Sequence, residues 1–326
     1  MAVTREQVVD AYRLILGREP ESEAVIESFL HVTDWRQLRE IFLGSQEFAQ
    51  TVGAGYSHAL PVGRYLDVRG VEVDLRCSDA QLQQMFDRIG AEWKKFGETE
   101  PHWSVLVSDD FRQENLAANI DRFYASGKPD IDIHLNFLRR SALPMSFRRA
   151  MDFGCGVGRL TLALAEHVEE VVGVDISPPH LALARERADA VGAGNVTFEV
   201  IESVADLGRF GAFDLIISRI VLQHNPPPVI AAIYRRLLDA LAPGGSAIVQ
   251  MPTYIAGQSF AADSYLTSDQ PSMEMNALPQ ADIFRIIDSA GCVPVEIRED
   301  GAAGGGAISH TIAVRKREGH QSSVRA

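Results

Sequence analysis

The chain has 326 residues, 46% of them hydrophobic, and a formal net charge of -13. That length suffices for a full apolar core and more than one domain, while the acidic balance argues against extended contact with a nucleic-acid backbone, which would repel it. No apolar run reaches the ~20 residues that cross a bilayer, and the three cysteines, Cys77, Cys155 and Cys292, are too few and too dispersed for a disulfide framework or a zinc site. The start, Met1-Ala-Val-Thr-Arg-Glu-Gln7, lacks the basic-then-apolar pattern of a signal peptide, so a cytoplasmic, globular protein without a membrane span is expected.

From Glu6 to about Gln50 the pattern is helical. Val8, Val9, Tyr12, Leu14, Ile15 and Leu16 lead to Gly17-Arg-Glu-Pro20, a stop and restart signal, and amphipathic stretches follow at Glu23 to Leu30 and Trp35 to Phe42. Ala11-Tyr-Arg-Leu-Ile-Leu-Gly-Arg-Glu-Pro20 and Phe42-Leu-Gly-Ser-Gln-Glu-Phe48 resemble the short phycobilisome-linker-like helical domain found in bacterial enzymes of surface-glycan pathways. The resemblance implies no chemistry; it leaves open a protein partner bound through these helices or a plain packing appendage.

Thr51 to Arg76 is rich in glycine and weakly patterned, and reads as a linker with room for a short extended piece. Helical periodicity returns from Ser78 through Leu82, Met85, Phe86 and Ile89, with Ser78 and Asp79 as cap candidates. Trp103 sits in the short apolar segment Pro101 to Val107 and reads as a core residue, with a substrate-stacking role as the alternative. Phe111 to Tyr124 and Ile131 to Leu143 are further predicted helices, separated by Ser126-Gly-Lys-Pro129. Helices ahead of a ligand turn are expected to form a lid, with Phe123 and Tyr124 as its aromatics.

From Phe147 onward strands and helices alternate, which predicts a parallel sheet with helices on both faces. The predicted strands are Arg149 to Phe153, Glu170 to Asp175, Val196 to Ile201, Phe213 to Ser218, Ala247 to Met251, Cys292 to Arg298 and Ser309 to Lys316. Ala242-Pro-Gly-Gly245 is read as a turn, Pro252 to Pro279 as a segment without a clean period, and Arg317 to Ala326 as a disordered tail.

The informative stretch is Ala150-Met-Asp-Phe-Gly-Cys-Gly-Val-Gly-Arg-Leu160. A buried strand feeds alternating glycines and then an apolar helical pattern from Leu160 to Val168, the arrangement that cradles a nucleotide-type ligand. Taken alone it also suits a nicotinamide-dependent oxidoreductase, and Asp175, closing the second strand, suits either. Other features separate the readings. Asp152 stands two residues ahead of Gly154, where a carboxylate would repel a pyrophosphate and favour a cationic ligand. The glycines are spaced Gly-x-Gly-x-Gly, and the Pro-Gly-Gly turn precedes the fifth strand.

Met151-Asp-Phe-Gly-Cys-Gly-Val-Gly158, Val172-Gly-Val-Asp-Ile-Ser177, Phe213-Asp-Leu-Ile-Ile-Ser218 and Leu241-Ala-Pro-Gly-Gly245 resemble, in order, the motifs of the class I S-adenosylmethionine-dependent methyltransferases. The resemblance implies an α/β fold: a Rossmann-like methyltransferase sheet of seven strands with helices on both faces, here with a helical N-terminal extension. The expected division is a linker-like module over 1–52, a linker and helical lid over 53–145, a methyltransferase domain over 146–316 with an insert at 252–279 that sets specificity, and the tail 317–326. By resemblance S-adenosyl-L-methionine is the cofactor. Asp152 and the backbone of Gly154, Cys155 and Gly156 would hold its methionine part, Asp175 its ribose hydroxyls, Ile176 would flank the adenine, and Glu202 and the Ser203 amide would meet the adenine edge. After the fourth strand, Arg219 is a candidate for the cofactor carboxylate or an acidic acceptor, with a surface ion pair as the alternative, and His224 for the base that deprotonates a hydroxyl or amine, with a capping or hydrogen-bonded structural histidine as the alternative. The acceptor is expected to be a small molecule or a glycan, most simply at a hydroxyl. An NAD-dependent oxidoreductase and a cofactor-binding scaffold without turnover are the alternatives. The nine histidines show no zinc spacing, and no metal is expected.

Overall fold

The computed structural model describes residues 3–48, 71–269, 272–304 and 306–319. Most of the predicted linker, the end of the tail and a few residues of the insert and of the 301–306 turn lie outside them. Contacts divide the chain into Met1–Val68 and Arg69–Ala326.

In the first unit, helices α1 (Arg5–Ala11), α2 (Glu23–Phe29) and α3 (Trp35–Leu43) begin at the side-chain caps Thr4, Ser22 and Asp34, each oxygen taking one of the unpaired N–H groups of a helix start. The apolar faces meet around Tyr12, whose ring stands edge-on to Phe42 with centroids 4.8 Å apart. A π-helical turn over Tyr12–Leu16 closes on Gly17 at φ 69°, a left-handed conformation that glycine adopts without steric cost.

The second unit opens with strand β1 (Glu72–Val73) and helices α4 (Asp79–Thr99), α5 (Pro101–Val105), α6 (Gln113–Ala125) and α7 (Gly127–Arg140). Ser78 caps α4 through a capping box with Gln81, as its sequence position suggests. Ser126 to Pro129 does not separate two helices widely: α7 starts at Gly127, directly after α6. An added Cβ on Gly127 would lie 2.3 Å from the Arg159 carbonyl oxygen, so only glycine lets α7 sit this closely on the segment after the glycine turn.

The remaining elements are β2 (Phe147–Phe153), α8 (Arg159–Leu164), β3 (Val168–Asp175), α9 (Pro178–Val191), β4 (Val196–Val200), β5 (Phe213–Ser218), α10 (Pro227–Asp239), β6 (Leu241–Ile255), β7 (Ser259–Phe260), α11 (Ala262–Thr267), α12 (Gln280–Ser289), β8 (Cys292–Asp300) and β9 (Ala307–Lys316). Seven strands form one sheet in the order β4-β3-β2-β5-β6-β9-β8. Neighbours are parallel from β4 to β6, and β9 runs antiparallel to both β6 and β8. Buried strands need apolar residues on both faces, and β2 supplies them alternately: Met151 and Phe153 join the core with α10, Ala150 the core with α7 and α8.

The structure revises several boundaries. The helix after the glycine turn ends at Leu164, because the chain must turn before β3 begins at Val168. Ala242 to Gly245 is looped out within β6: its pairing with β5 jumps from Phe213↔Leu241 to Leu215↔Ser246. Within the insert, β6 runs on to Ile255 and β7 pairs in parallel with β1. The chain leaves β2 toward β3 and β4, then returns to place β5 on the other side of β2. Ligands of open α/β sheets sit at such a reversal, beyond the carboxyl ends of the strands.

Candidate active site

A cavity of about 870 Å³, counting space open to solvent, lies at that reversal. Its floor is the turn after β2. Gly154, Gly156 and Gly158 all have positive φ, at 75°, 53° and 83°. The turn is braced from the next strand: Oδ2 of Asp175 accepts the Gly156 N–H at 2.8 Å and Oδ1 accepts the Ser177 N–H at 2.9 Å. Asp152 is fully buried below, where it accepts the Thr161 hydroxyl at 2.6 Å. Burial pushes its carboxyl up to about 6, partly offset by that hydroxyl and by the charge of Arg159.

The walls come from elements distant in sequence. Helix α4 gives Phe86, Ile89 and Trp93, α5 gives Ser104 and Val105, and the segment after β5 gives Arg219, Ile220 and Val221. Ile220 holds φ 57°, unfavourable for a β-branched residue, and its N–H donates to Gln250 Oε1 at 2.7 Å, so β6 fixes the strained lip. His180 is buried beside Trp93, with Nδ1 2.7 Å from Ser177 Oγ and Nε2 2.9 Å from Ser104 Oγ. Ser177 in turn donates to the Trp93 carbonyl, so α4, α5 and the start of α9 are tied together at the cavity edge.

Of the residues singled out by sequence, Asp152, Gly154, Cys155, Gly156, Asp175, Ile176 and Arg219 line this cavity together. Glu202, Ser203 and His224 lie outside its lining. The Ser203 amide expected at the adenine edge is engaged already: Asp206 Oδ2 accepts it at 2.9 Å and the Glu202 amide at 2.8 Å, in a capping box that begins the next helical turn. The signal for this lay in Ser203 and Asp206 three residues apart. His224 is buried behind Trp93, with ring centroids 5.3 Å apart. Its Nδ1–H donates to the Glu274 carbonyl at 3.0 Å, and burial lowers its pKa. The neighbouring Glu274 carboxyl accepts the Tyr265 hydroxyl at 2.9 Å and is pushed up to about 7 by burial.

The lid aromatics also differ from expectation. Phe123 is fully buried against Phe111 and Val157, and Tyr124 donates to the Val157 carbonyl at 3.2 Å. Both support the glycine turn from outside, while Trp93 faces the cavity. Sequence reading missed Trp93, Val105, His180 and Arg159, because nothing in their local periodicity marks them.

Residues 150–245 match the family model described as a methyltransferase domain. This segment is a methyltransferase domain. A ubiquinone biosynthesis O-methyltransferase of Xanthomonas campestris pv. campestris (strain B100) is 33% identical over 152 residues, covering 43% of this chain and 61% of that protein. A 2-heptyl-1-hydroxyquinolin-4(1H)-one methyltransferase of Mycobacteroides abscessus is 33% identical over 99 residues, 30% of this chain and 44% of that one. The chain thus spans less than two thirds of the length of these curated relatives. Magnesium protoporphyrin IX methyltransferase of Synechocystis PCC 6803, solved with bound SAH, superposes with a TM-score of 0.50 at 21% identity over 71% of this chain and 99% of that one. The sheet around the methyltransferase domain therefore has the Rossmann-like methyltransferase fold, and the cavity lies at the domain's glycine turn.

Proposed function

We propose that the protein is an S-adenosyl-L-methionine-dependent methyltransferase that acts on a hydroxyl of a small-molecule or glycan acceptor. The observation that carries this reading is a pair of carboxylates on one glycine turn, Asp152 beneath it and Asp175 bracing it. A dinucleotide pyrophosphate would meet a carboxylate at the floor, whereas a ligand with an ammonium and a sulfonium suits it.

On this reading Asp152 and the Gly154–Cys155–Gly156 backbone receive the amino-acid end of the cofactor, and Asp175 accepts its ribose hydroxyls through lone pairs left over from the Gly156 and Ser177 amides. Ile176 flanks the adenine, Glu202 is the proposed partner of its edge, and Arg219 meets the carboxylate. When bound, the cofactor supplies a methyl group activated on a positively charged sulfur, so no covalent nucleophile is required of the protein. The chain's part is to align the acceptor and keep water out. Phe86, Ile89, Trp93, Val105 and Val221 make an apolar wall suited to that. The names of the curated O-methyltransferase relatives favour oxygen as the acceptor atom.

His224 is the proposed base. With Nδ1–H committed to the Glu274 carbonyl, Nε2 carries the lone pair, 3.4 Å from the Gln223 amide nitrogen that an acceptor hydroxyl would have to displace, and the lowered pKa keeps the ring neutral near pH 7. The first helical module is proposed to bind a protein partner.

Calorimetry with S-adenosylhomocysteine and NAD tests the cofactor reading: the former is expected to bind, and binding of NAD alone would overturn it. With an acceptor in hand, His224→Ala is expected to lower turnover at least about a hundredfold with S-adenosylhomocysteine affinity intact. A loss below about tenfold removes His224 as the base.

The Asp152 carboxyl adds a pH dependence. A bound ammonium favours the ionised form, so binding requires loss of a proton that the free protein holds below about pH 6. Affinity for S-adenosylhomocysteine is therefore expected to fall about tenfold from pH 7 to pH 5. Asp152→Asn should flatten that profile; an unchanged profile in the variant would show that another group titrates. Stability runs the same way with pH as occupancy of the proton: the raised carboxyl favours the folded state below its ordinary range, and this contribution is lost as pH rises through about 6.

A further inference from the structure

The cavity contains a second arginine. Arg159, the first residue of α8, is 5% exposed at its side chain and lines the cavity together with Arg219. Its Nη1 donates to Asp130 Oδ2 at 2.7 Å and to Ser126 Oγ at 3.1 Å, while its Nε is buried without a hydrogen-bond partner. Arg219 Nη1 donates to the other oxygen of Asp130. One carboxylate on α7 is therefore shared by two guanidinium groups beside the glycine turn. Asp152 feels the charge of Arg159, yet its oxygen is held by Thr161, and among the described residues Arg159 forms an ion pair with Asp130 alone. A buried donor without a partner costs stability, and an anion arriving in the cavity would supply one.

We propose that Arg159 is a cofactor-binding residue that, with Arg219, receives the α-carboxylate of the cofactor's amino-acid group, the two guanidiniums being held in place by Asp130. The inference rests on the S-adenosylmethionine reading above and extends it to the residue directly after the last glycine. The placement is set by packing. Gly127 lets α7 lie on the Arg159 carbonyl, and Ser126 and Asp130, one helical turn apart, then both reach its guanidinium. A planar guanidinium suits a carboxylate because its N–H groups can donate to both oxygens.

Calorimetry on the full chain tests this with S-adenosylhomocysteine and its decarboxylated analogue, which retains the amine. The unaltered protein is expected to bind the analogue about tenfold to a hundredfold more weakly. Arg159→Gln should weaken S-adenosylhomocysteine by a similar factor and change the analogue by less than about twofold. Should the Gln variant fail to fold, Arg159→Lys keeps the charge without the fork, and about a fivefold loss confined to S-adenosylhomocysteine is expected. Equal losses for both ligands, or no loss for S-adenosylhomocysteine, would overturn the assignment. If the unaltered protein binds neither ligand, the cofactor reading itself fails, an outcome distinct from both.

Discussion

Asp175→Ala is expected to weaken S-adenosylhomocysteine binding by about a hundredfold or more, since hydrogen bonds to a charged acceptor contribute about 1.5–3 kcal/mol each and the proposed ribose contact uses two. The same carboxylate accepts the Gly156 and Ser177 amides, so the substitution also releases the floor of the cavity. Asp175→Asn separates the two roles. It keeps one acceptor oxygen for an amide but lacks the charge, and an intermediate loss of about tenfold is expected. Titration calorimetry measures both, and a loss below about fivefold in Asp175→Ala would exclude the ribose role.

The second large effect is expected at Gly154. Its φ is 75°, and an added Cβ would lie 2.3 Å and 2.4 Å from the two Cγ atoms of Val221. Gly154→Ala combines a left-handed backbone cost of about 1–2 kcal/mol with overpacking of about 1–3 kcal/mol. Val221 stands on the cavity wall and must move to make room. The variant should therefore unfold at a clearly lower temperature and lose S-adenosylhomocysteine affinity at least about tenfold. Gly192→Ala is the control: φ is 70° there too, but a Cβ meets nothing within 4 Å, so a smaller thermal shift and full affinity are expected. Equal behaviour of the two variants would show that the steric contact with Val221 has no consequence for the site.

The carboxylates and glycines of the floor could be read from the sequence for a local reason. Asp152, Gly154, Gly156 and Asp175 lie at the ends of two strands that pair directly, Asp152 opposite Gly173 and Phe153 opposite Val174. A buried parallel strand is a continuous apolar run, so Val171 to Val174 and Leu215 to Ile217 announce themselves, and the residue that ends each run must lie at the sheet's edge. Edge details were less legible. The pairing of Ser203 with Asp206, short-range as it is, takes the amide that resemblance had offered to the adenine.

By itself, then, the sequence determined the alternation of strands and helices, the order of the glycine turn and its two acids, and the helical character of both N-terminal stretches. The tertiary structure decided which side chains complete the cavity, Trp93 and Val105 in place of Phe123 and Tyr124 and Arg159 beside Arg219, and it left His224 outside the lining. The physical reason is that hydrophobic periodicity tells which face of a helix is buried but not what it is buried against. Phe123 and Trp93 both lie on apolar helix faces, one packed on Val157 and the other lining the cavity. That choice is made by contacts such as Gly127 on the Arg159 carbonyl, which join segments whose spacing along the chain carries no sign of their meeting.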